Sequence, residues 1–279
     1  MEDTEIRKSV REGYGKIAKE SGSCCSPKSK SKSCCDNTAS ARDASKSVGY
    51  SDEDMDSVPD GANLGLGCGN PLALASVKEG ETVLDLGSGA GFDCFLAANK
   101  VGKRGRVIGV DMTPEMLEKA RENARKNNYT NVEFRLGEIE SLPVADNTAD
   151  IIISNCVINL SPDKPRVFRE AYRVLKPGGR LMVSDIVLTK ELPEAVRDSV
   201  QAYIGCVAGA MLEEEYLGAI EAAGFKDVRV ADETGIGTDS LENDPTAVAI
   251  AESSNLKPEQ MRDLASSILS IKVSAIKPK

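Results

Sequence analysis

The stretch Val83-Leu84-Asp85-Leu86-Gly87-Ser88-Gly89-Ala90-Gly91 runs from an apolar segment into a glycine-rich loop, and a predicted helix follows it. The apolar segment predicts a buried strand. Glycines at the turn let the backbone bend and approach a ligand without a Cβ clash. A dinucleotide site favours the spacing G-x-G-x-x-G, whereas the spacing here is G-x-G-x-G. Taken alone, the loop indicates a ligand-binding strand–loop–helix unit but does not identify the ligand.

Strand and helix patterns alternate outward from this unit. Strands are predicted at 82–86, 107–110, 132–136, 150–153, 181–186, 225–230 and 268–276. Helices are predicted at 4–20, 113–127, 164–175 and 213–223, and in a stretch that holds Cys206. Strands separated by helical patterns of this length are typical of a doubly wound, mostly parallel sheet.

The chain has 279 residues, enough for one substantial core and a smaller appended unit. We divide it into an N-terminal helix and arm (1–60), a cofactor-binding domain (61–190), and a C-terminal cap with the closing strands (191–279). Residues 21–47 contain almost no large apolar side chain, so we expect a mobile arm there.

The charge balance argues against polyanionic partners. The net charge is −9, from 44 acidic and 35 basic residues, and this field repels nucleic acid and anionic lipid. No segment resembles a membrane span or a signal peptide. We therefore expect a cytoplasmic monomer with a small-molecule partner, and neither nucleic acid nor membrane as a target.

Three carboxylates follow or end predicted strands near the glycine loop. Asp85, two residues before Gly87, is placed to face a cationic group. Asp111 lies 20 residues past Gly91, where a carboxylate accepts ribose hydroxyls. Glu138 follows the third strand and is placed to meet a base edge. Helix caps or solvated loop positions are the alternative explanation for each of them.

The chain has no histidine, which removes the commonest general base, but it has eight cysteines. Cys156 follows the fourth strand, at the edge where open α/β sheets bind ligands. Cys68 lies in a glycine-rich loop and Cys206 among small residues, so these three would have to converge from separate elements. Cys94 is predicted to be a packed core thiol, and core packing is also the alternative for the other three.

Five segments together carry a resemblance to a known family: GLGCGNP, VLDLGSGAGFDC, VIGVDMT, SNCVINL and YIGCVAGA. They closely resemble arsenite methyltransferases from Tyr14-Gly15 to about residue 225. The resemblance implies a Rossmann-like class I methyltransferase fold with a seven-stranded sheet, a substrate-binding cap, and S-adenosylmethionine as cofactor. It also implies that thiolates of Cys68, Cys156 and Cys206 bind trivalent arsenic and carry catalysis.

The resemblance further implies roles in the cofactor site. Asp85 and Gly87 would lie near the methionine end, Asp111 on the ribose, and Met112, Glu138 and Ile139 around adenine. We also assign Ser88, Gly89 and Asn155 to this site. The expected reaction is methyl transfer to arsenic, and the expected role is arsenic detoxification. Protein thiols would then restore trivalent arsenic through transient disulfides, with glutathione or thioredoxin as the electron source.

The N-terminal cysteines leave alternatives open. Cys24, Cys25, Cys34 and Cys35 form two vicinal pairs that would relay electrons or arsenic, bind zinc or copper, or belong to a passive tail. Two rival functions also stand: a carbon or oxygen methyltransferase for a lipid-like quinone precursor, and a thiol-based metalloid binder or sensor. The first gives no reason for Cys68 and Cys206, and the second gives none for an intact glycine loop with Asp85 and Asp111.

Overall fold

A computed structural model describes residues 3–20, 36–197, 199–235 and 258–279. Seven strands form one sheet in the order β3-β2-β1-β4-β5-β7-β6. β1 to β5 are parallel to one another, and β7 runs antiparallel between β5 and β6. The predicted doubly wound, mostly parallel seven-stranded sheet is confirmed. The strands are β1 Thr82–Leu86, β2 Arg106–Asp111, β3 Val132–Leu136, β4 Ala149–Asn155, β5 Leu175–Leu188, β6 Lys226–Gly235 and β7 Ile268–Ile276.

Helices cover both faces of the sheet, and none that the structure describes is long and apolar enough to cross a membrane. Local sequence fixes where several begin: Pro114 occupies the first turn after Thr113, and the Asp163 side chain accepts the Arg166 N–H. The helices are α1 Asp3–Glu20, α2 Asp36–Ser47, α3 Asp52–Asp56, α4 Pro71–Leu74, α5 Phe92–Val101, α6 Pro114–Lys126, α7 Lys164–Val174, α8 Glu194–Arg197, α9 Val200–Ile204, α10 Glu213–Ala222 and α11 Pro258–Ala265, with a 3-10 turn at Ile158–Leu160.

The central strands are buried on both faces. In β4, Ile152 contributes to one apolar core, whereas Ile151 and Ile153 contribute to the core on the opposite face. All three side chains are fully buried. A parallel sheet covered by helices on both faces requires such continuous apolar strands, which is why the run 150–153 was recognisable in the sequence.

The expected mobile arm is partly wrong. Residues 36–47 form α2, although Cys24, Cys25, Cys34 and Cys35 lie outside the described residues. Arg42 pairs with Asp52 and Asp56 of α3, at 3.1 and 2.8 Å, and the buried Ser45 hydroxyl lies 3.0 Å from Asn63 Oδ1. Polar contacts of this kind order a helix that has little apolar surface to bury, and composition alone does not reveal them.

The guanidinium of Arg180, on β5, fastens the segment that leads into β1. It donates to both carboxylate oxygens of Glu81, at 2.8 and 2.9 Å, and to the carbonyl oxygens of Ala75 and Ser76, at 2.7 and 2.8 Å. The two charged side chains are only 22% and 16% exposed. Bidentate pairing of this kind holds the segment before β1 to β5 more firmly than a solvated ion pair does.

We expect Arg180→Ala to lower the free energy of unfolding by about 2 kcal/mol, because Glu81 and two backbone carbonyls lose the hydrogen bonds from the guanidinium. Arg104, whose pair with Glu79 is largely exposed, provides the matched control, and Arg104→Ala should change that free energy by less than about 0.5 kcal/mol. Urea denaturation of both variants measures the difference, and equal losses would contradict this assignment.

Candidate functional site

The carboxyl ends of β1, β2 and β4 open into one cleft. Leu86 is paired with Val110 of β2 and with Ser154 of β4, so the residues that follow these strands emerge side by side. The empty volume of the cleft, including its opening to solvent, is about 1120 Å³. It is lined by the glycine loop, by the segments after β2 and β4, and by side chains from α1. This is the edge at which open α/β sheets bind ligands.

The glycine loop turns sharply beneath the cleft. Gly87, Gly89 and Gly91 all have positive φ, which favours residues without a Cβ. The Gly87 and Ser88 N–H groups donate to the Val110 carbonyl oxygen, at 2.7 and 3.0 Å. A Cβ built on Gly89 would meet no atom within 4 Å, so this glycine faces open space. The loop is thus both fixed to β2 and open to a ligand.

The Asp111 carboxylate is held by backbone donors at the end of β2. One oxygen accepts the Gly89 N–H at 2.9 Å and the other accepts the Thr113 N–H at 2.8 Å. Met112 and Ile139 supply apolar surface to the cleft beside it. These contacts fix the carboxylate at the position that was predicted to receive ribose hydroxyls.

Glu138 faces α1: its carboxylate lies 3.6 Å from Arg7 Nε, and its side chain is 45% exposed. Glu140, which the sequence analysis did not single out, lines the cleft and is buried. It accepts from the Ser161 hydroxyl at 2.7 Å and from Arg7 at 3.3 Å. The role of Glu138 at a base edge therefore stays a prediction, and Glu140 is a second carboxylate on that side.

Two buried carboxyl groups form an acidic wall of the cleft. Burial, and then the neighbouring Asp93 charge, raise the pKa of Asp85 well above its usual range, and burial raises the pKa of Asp93 to about 6. The Cys94 thiol donates to Asp85 at 3.2 Å, and the Tyr50 hydroxyl donates to Asp93 at 2.7 Å. Because a bound cation would stabilise the ionised carboxylates, this wall favours a positively charged ligand group.

Cys94 is fully buried, as predicted for a core thiol, and it is also a donor to Asp85. Asp93 and Tyr50 were missed in the sequence analysis. Asp93 carried a weak signal, as an acidic residue in the first turn of the helix after the glycine loop. Tyr50 carried none, because it lies in a connecting segment far from the loop in sequence.

Cys68 and Cys156 meet beside the cleft. They form a disulfide bond, with Cα atoms 5.7 Å apart. Cys156 has a φ of +58°, unusual for a residue with a side chain, and its N–H donates to the Ser184 carbonyl oxygen at 2.8 Å. The two sulfur atoms and a carboxylate oxygen of Asp185 all lie within 4.8 Å of one another.

The placement of Cys206 within a helix is wrong. α9 ends at Ile204, and Cys206 has a φ of +63°. The Val207 and Ala208 N–H groups both return to the Ala202 carbonyl oxygen, at 2.9 Å, so Cys206 is the left-handed residue of the turn that ends the helix. Its buried thiol donates to the Cys156 carbonyl oxygen at 2.9 Å. The third cysteine therefore lies next to the Cys68–Cys156 pair.

Burial, above all, raises the pKa of the Cys206 thiol well above its usual range. Tyr14 of α1 lies against it and donates to the Ile204 carbonyl oxygen at 3.3 Å. A thiol in this setting stays protonated near neutral pH until a ligand replaces its proton. Binding of a thiophilic atom here would thus release a proton.

Asp185, on β5, was also missed. It is fully buried and accepts from the Asn159 amide, the Ile186 N–H and the Tyr216 hydroxyl, at 2.8, 2.9 and 3.0 Å. Burial, as the largest cause, raises its pKa to about 7. A charged residue inside the apolar run of β5 was the available signal, since isolated buried carboxyls concentrate at functional sites.

Comparisons with known proteins identify the family and agree with the fold. A family described as a methyltransferase domain matches residues 77–224. An arsenite methyltransferase of Halobacterium salinarum is 53% identical over 231 residues, which are 81% of this chain and 59% of that protein. The crystal structure of CrArsM, an arsenic (III) S-adenosylmethionine methyltransferase from Chlamydomonas reinhardtii, has 34% identity and a TM-score of 0.62, covering 85% of this chain and 73% of that one.

The chain belongs to the arsenite methyltransferase family. It spans about three fifths of the length of the Halobacterium relative. A ubiquinone/menaquinone biosynthesis C-methyltransferase of Klebsiella pneumoniae also matches, at 38% identity, but over 133 residues that are 47% of this chain and 52% of that protein. The likeness to the C-methyltransferase thus covers about half of each chain, whereas the likeness to the arsenite methyltransferase of Halobacterium covers most of this chain.

The residues that line the cleft fit S-adenosylmethionine. Gly89 leaves open space for a ligand close to the backbone, the Asp111 carboxylate is held by two N–H groups at the end of β2, and Ile139 lines the cleft with apolar surface. The wall formed by Asp85 and Asp93 suits the cationic end of the cofactor. Each part of the cofactor thus has a complementary group in the cleft.

We expect the affinity for S-adenosylmethionine to fall as the pH is lowered below about 6, because the raised pKa of Asp93 lets that carboxyl become neutral in this range. Calorimetric titrations between pH 5 and pH 8 measure this dependence. The Asp93→Asn variant should bind more weakly at pH 8 and show a flatter profile. An unchanged slope in the variant would contradict the role of Asp93.

Proposed function

We propose that this protein transfers the methyl group of S-adenosylmethionine to trivalent arsenic that is held by cysteine thiolates. One observation carries the proposal: the thiol segment after β4 packs against the glycine loop. A Cβ on Gly87 would collide with the Val157 side chain, next to Cys156. Cys156 itself lines the cleft. Substrate held by this thiol would therefore lie beside the methionine end of the cofactor.

The thiols at this edge suit arsenic. Trivalent arsenic is a soft centre, and soft thiolates are its preferred ligands. Arsenite, As(OH)₃, reacts with three thiols to give a tris-thiolate and three water molecules. We assign Cys68, Cys156 and Cys206 to this substrate, as arsenite or as its glutathione complex. The Cys68–Cys156 disulfide must first be reduced, and two molecules of glutathione, or the dithiol of thioredoxin, supply the two electrons.

The cofactor, when bound, supplies an electrophilic methyl group on a sulfonium. The residues of the chain would position the cofactor and the arsenic substrate relative to each other. Asp85 and Asp93 would hold the cationic end, Asp111 would hold the ribose, and Cys156 would hold the arsenic with its lone pair toward the methyl group. Two electrons from that lone pair form the As–C bond, while the electrons of the broken S–C bond stay on the sulfur of S-adenosylhomocysteine.

Methylation leaves arsenic formally pentavalent, so trivalent arsenic must be restored by two electrons. We propose that two thiols of the protein supply these two electrons and form a disulfide bond, such as the one between Cys68 and Cys156. Cys24, Cys25, Cys34 and Cys35 remain candidates for the relay of electrons from glutathione or thioredoxin to this thiol pair. The division into an arm (1–60), a cofactor domain (61–190) and a cap (191–279), the monomeric state and the cytoplasmic location are likewise proposals.

The similarity to the quinone C-methyltransferase of Klebsiella favours a second candidate, methylation of carbon in a quinone precursor. That reaction needs no thiol beside the methyl group. The two candidates therefore differ in whether Cys156 and Cys206 are required.

We expect labelled methyl to pass from S-adenosylmethionine to arsenite in the presence of glutathione, giving methylated arsenicals. Cys156→Ser and Cys206→Ser should lower product formation by at least about 100-fold, because the arsenic loses a thiolate that places its lone pair. Chromatographic separation of the arsenic species measures the products. Wild-type turnover in Cys156→Ser would overturn the proposed site.

Binding of phenylarsine oxide provides a control that does not require methyl transfer. Cys94→Ser keeps a hydroxyl donor for Asp85 and should retain the wild-type affinity for this arsenical, whereas Cys156→Ser should lose it. Equal affinities in all three proteins would show that the arsenical binds elsewhere.

A further inference from the structure

The Asn155 side chain lies between the cofactor cleft and the thiol pair. It ends β4, immediately before Cys156, and it lines the cleft. Its oxygen accepts the Cys68 backbone N–H at 3.1 Å. Its nitrogen lies 2.8 Å from the Gly69 carbonyl oxygen, 2.9 Å from the Tyr50 hydroxyl and 3.2 Å from Asp93. One amide thus contacts both the loop that carries Cys68 and the acidic wall of the cleft.

These partners fix the orientation of the amide. The Cys68 N–H needs an acceptor, and the Gly69 carbonyl needs a donor, so exchanging oxygen and nitrogen would lose both hydrogen bonds. The Tyr50 hydroxyl donates to Asp93, and its oxygen is therefore free to accept from Asn155. Of the common side chains, a short amide matches this set best because it offers an acceptor and a donor on adjacent atoms.

The Cys68 loop is pressed against Asn155. A Cβ on Gly67 would lie 2.7 Å from the Asn155 nitrogen, so only glycine fits there without a shift. On the opposite side, the Ser270 hydroxyl donates to the Cys68 carbonyl oxygen at 2.7 Å. The backbone on both sides of the Cys68 sulfur is therefore held, and its distance from Cys156 depends on these contacts.

We infer that Asn155 is a positioning residue, whose side-chain amide holds the Cys68 thiol within reach of the Cys156 thiol. Asn155 acts through Cys68 and takes no part in bond making. The inference deepens the proposed function, on which it rests for the identity of the bound arsenic. The placement of the two thiols does not depend on the proposed function, because this placement concerns only the protein's own sulfur atoms.

The test is the equilibrium of the thiol pair with glutathione, in which the disulfide and two glutathione molecules give the dithiol and glutathione disulfide. In the 279-residue protein, differential alkylation and peptide mass mapping quantify the Cys68–Cys156 link. The ratio yields the effective concentration of one thiol at the other. We expect Asn155→Ala to lower this effective concentration by roughly tenfold or more, because the loop loses its anchor.

Asn131→Ala is the matched control. The Asn131 amide also bonds to two backbone carbonyls, those of Ala98 and Gly102, but it lies before β3 and away from the thiols. It should leave the effective concentration unchanged even if it lowers the melting temperature as much as Asn155→Ala does. If Asn155→Ala fails to fold, Asn155→Ser, which cannot span both Cys68 and Gly69, should show the same loss.

A wild-type effective concentration in a folded Asn155 variant would overturn the inference, as would an equal loss in Asn131→Ala. Neither arsenic nor the methyl donor enters this equilibrium. A failure here therefore leaves the proposed methyl transfer untouched, and absence of methyl transfer leaves this result untouched.

Discussion

The parallel pairing of β1 with β4 is the constraint on which the site depends. Its register places Leu86 opposite Ser154, so the glycine loop and the Asn155-Cys156 segment leave the sheet at the same level. Because both are held by adjacent strands, the cofactor cleft and the thiol pair share a wall without needing a mobile segment to join them. A shift of one residue in this pairing would turn the end of β4 to the other face and separate the two sites.

The sequence predicted the features that depend on local pattern. The strands β1 and β4 were recognisable because they are buried on both faces and consist largely of apolar residues. The glycine loop was recognisable because a turn that follows a buried strand and approaches a ligand needs residues without a Cβ, and Asp111 was recognisable as a carboxylate at a strand end. Placing Cys156 at the cleft needed only the rule that ligands bind at the carboxyl ends of parallel strands.

Features that depend on contacts distant in sequence were not predictable. Tyr50 reaches Asp93, and Asn155 reaches the Cys68 loop, across long separations that no local pattern encodes. The low apolar content of residues 21–47 did not predict α2, because ion pairs and a buried serine order that helix. The end of α9 before Cys206 was also not predictable, since the residues that follow make contacts distant in sequence, such as the close approach of Gly209 to the Asn159 carbonyl oxygen. The unforeseen residues are therefore mostly those that position the predicted ones.

In the proposed site, arsenic bound to these thiols lies at the mouth of the cofactor cleft. Anomalous diffraction at the arsenic absorption edge, from crystals of reduced protein soaked with arsenite and S-adenosylhomocysteine, tests this position most directly. We predict a single strong arsenic peak at bonding distance from the Cys156 sulfur, on the side that faces Gly87 and the cofactor sulfur. A peak confined to other cysteines, or one separated from the cofactor by protein atoms, would contradict the account.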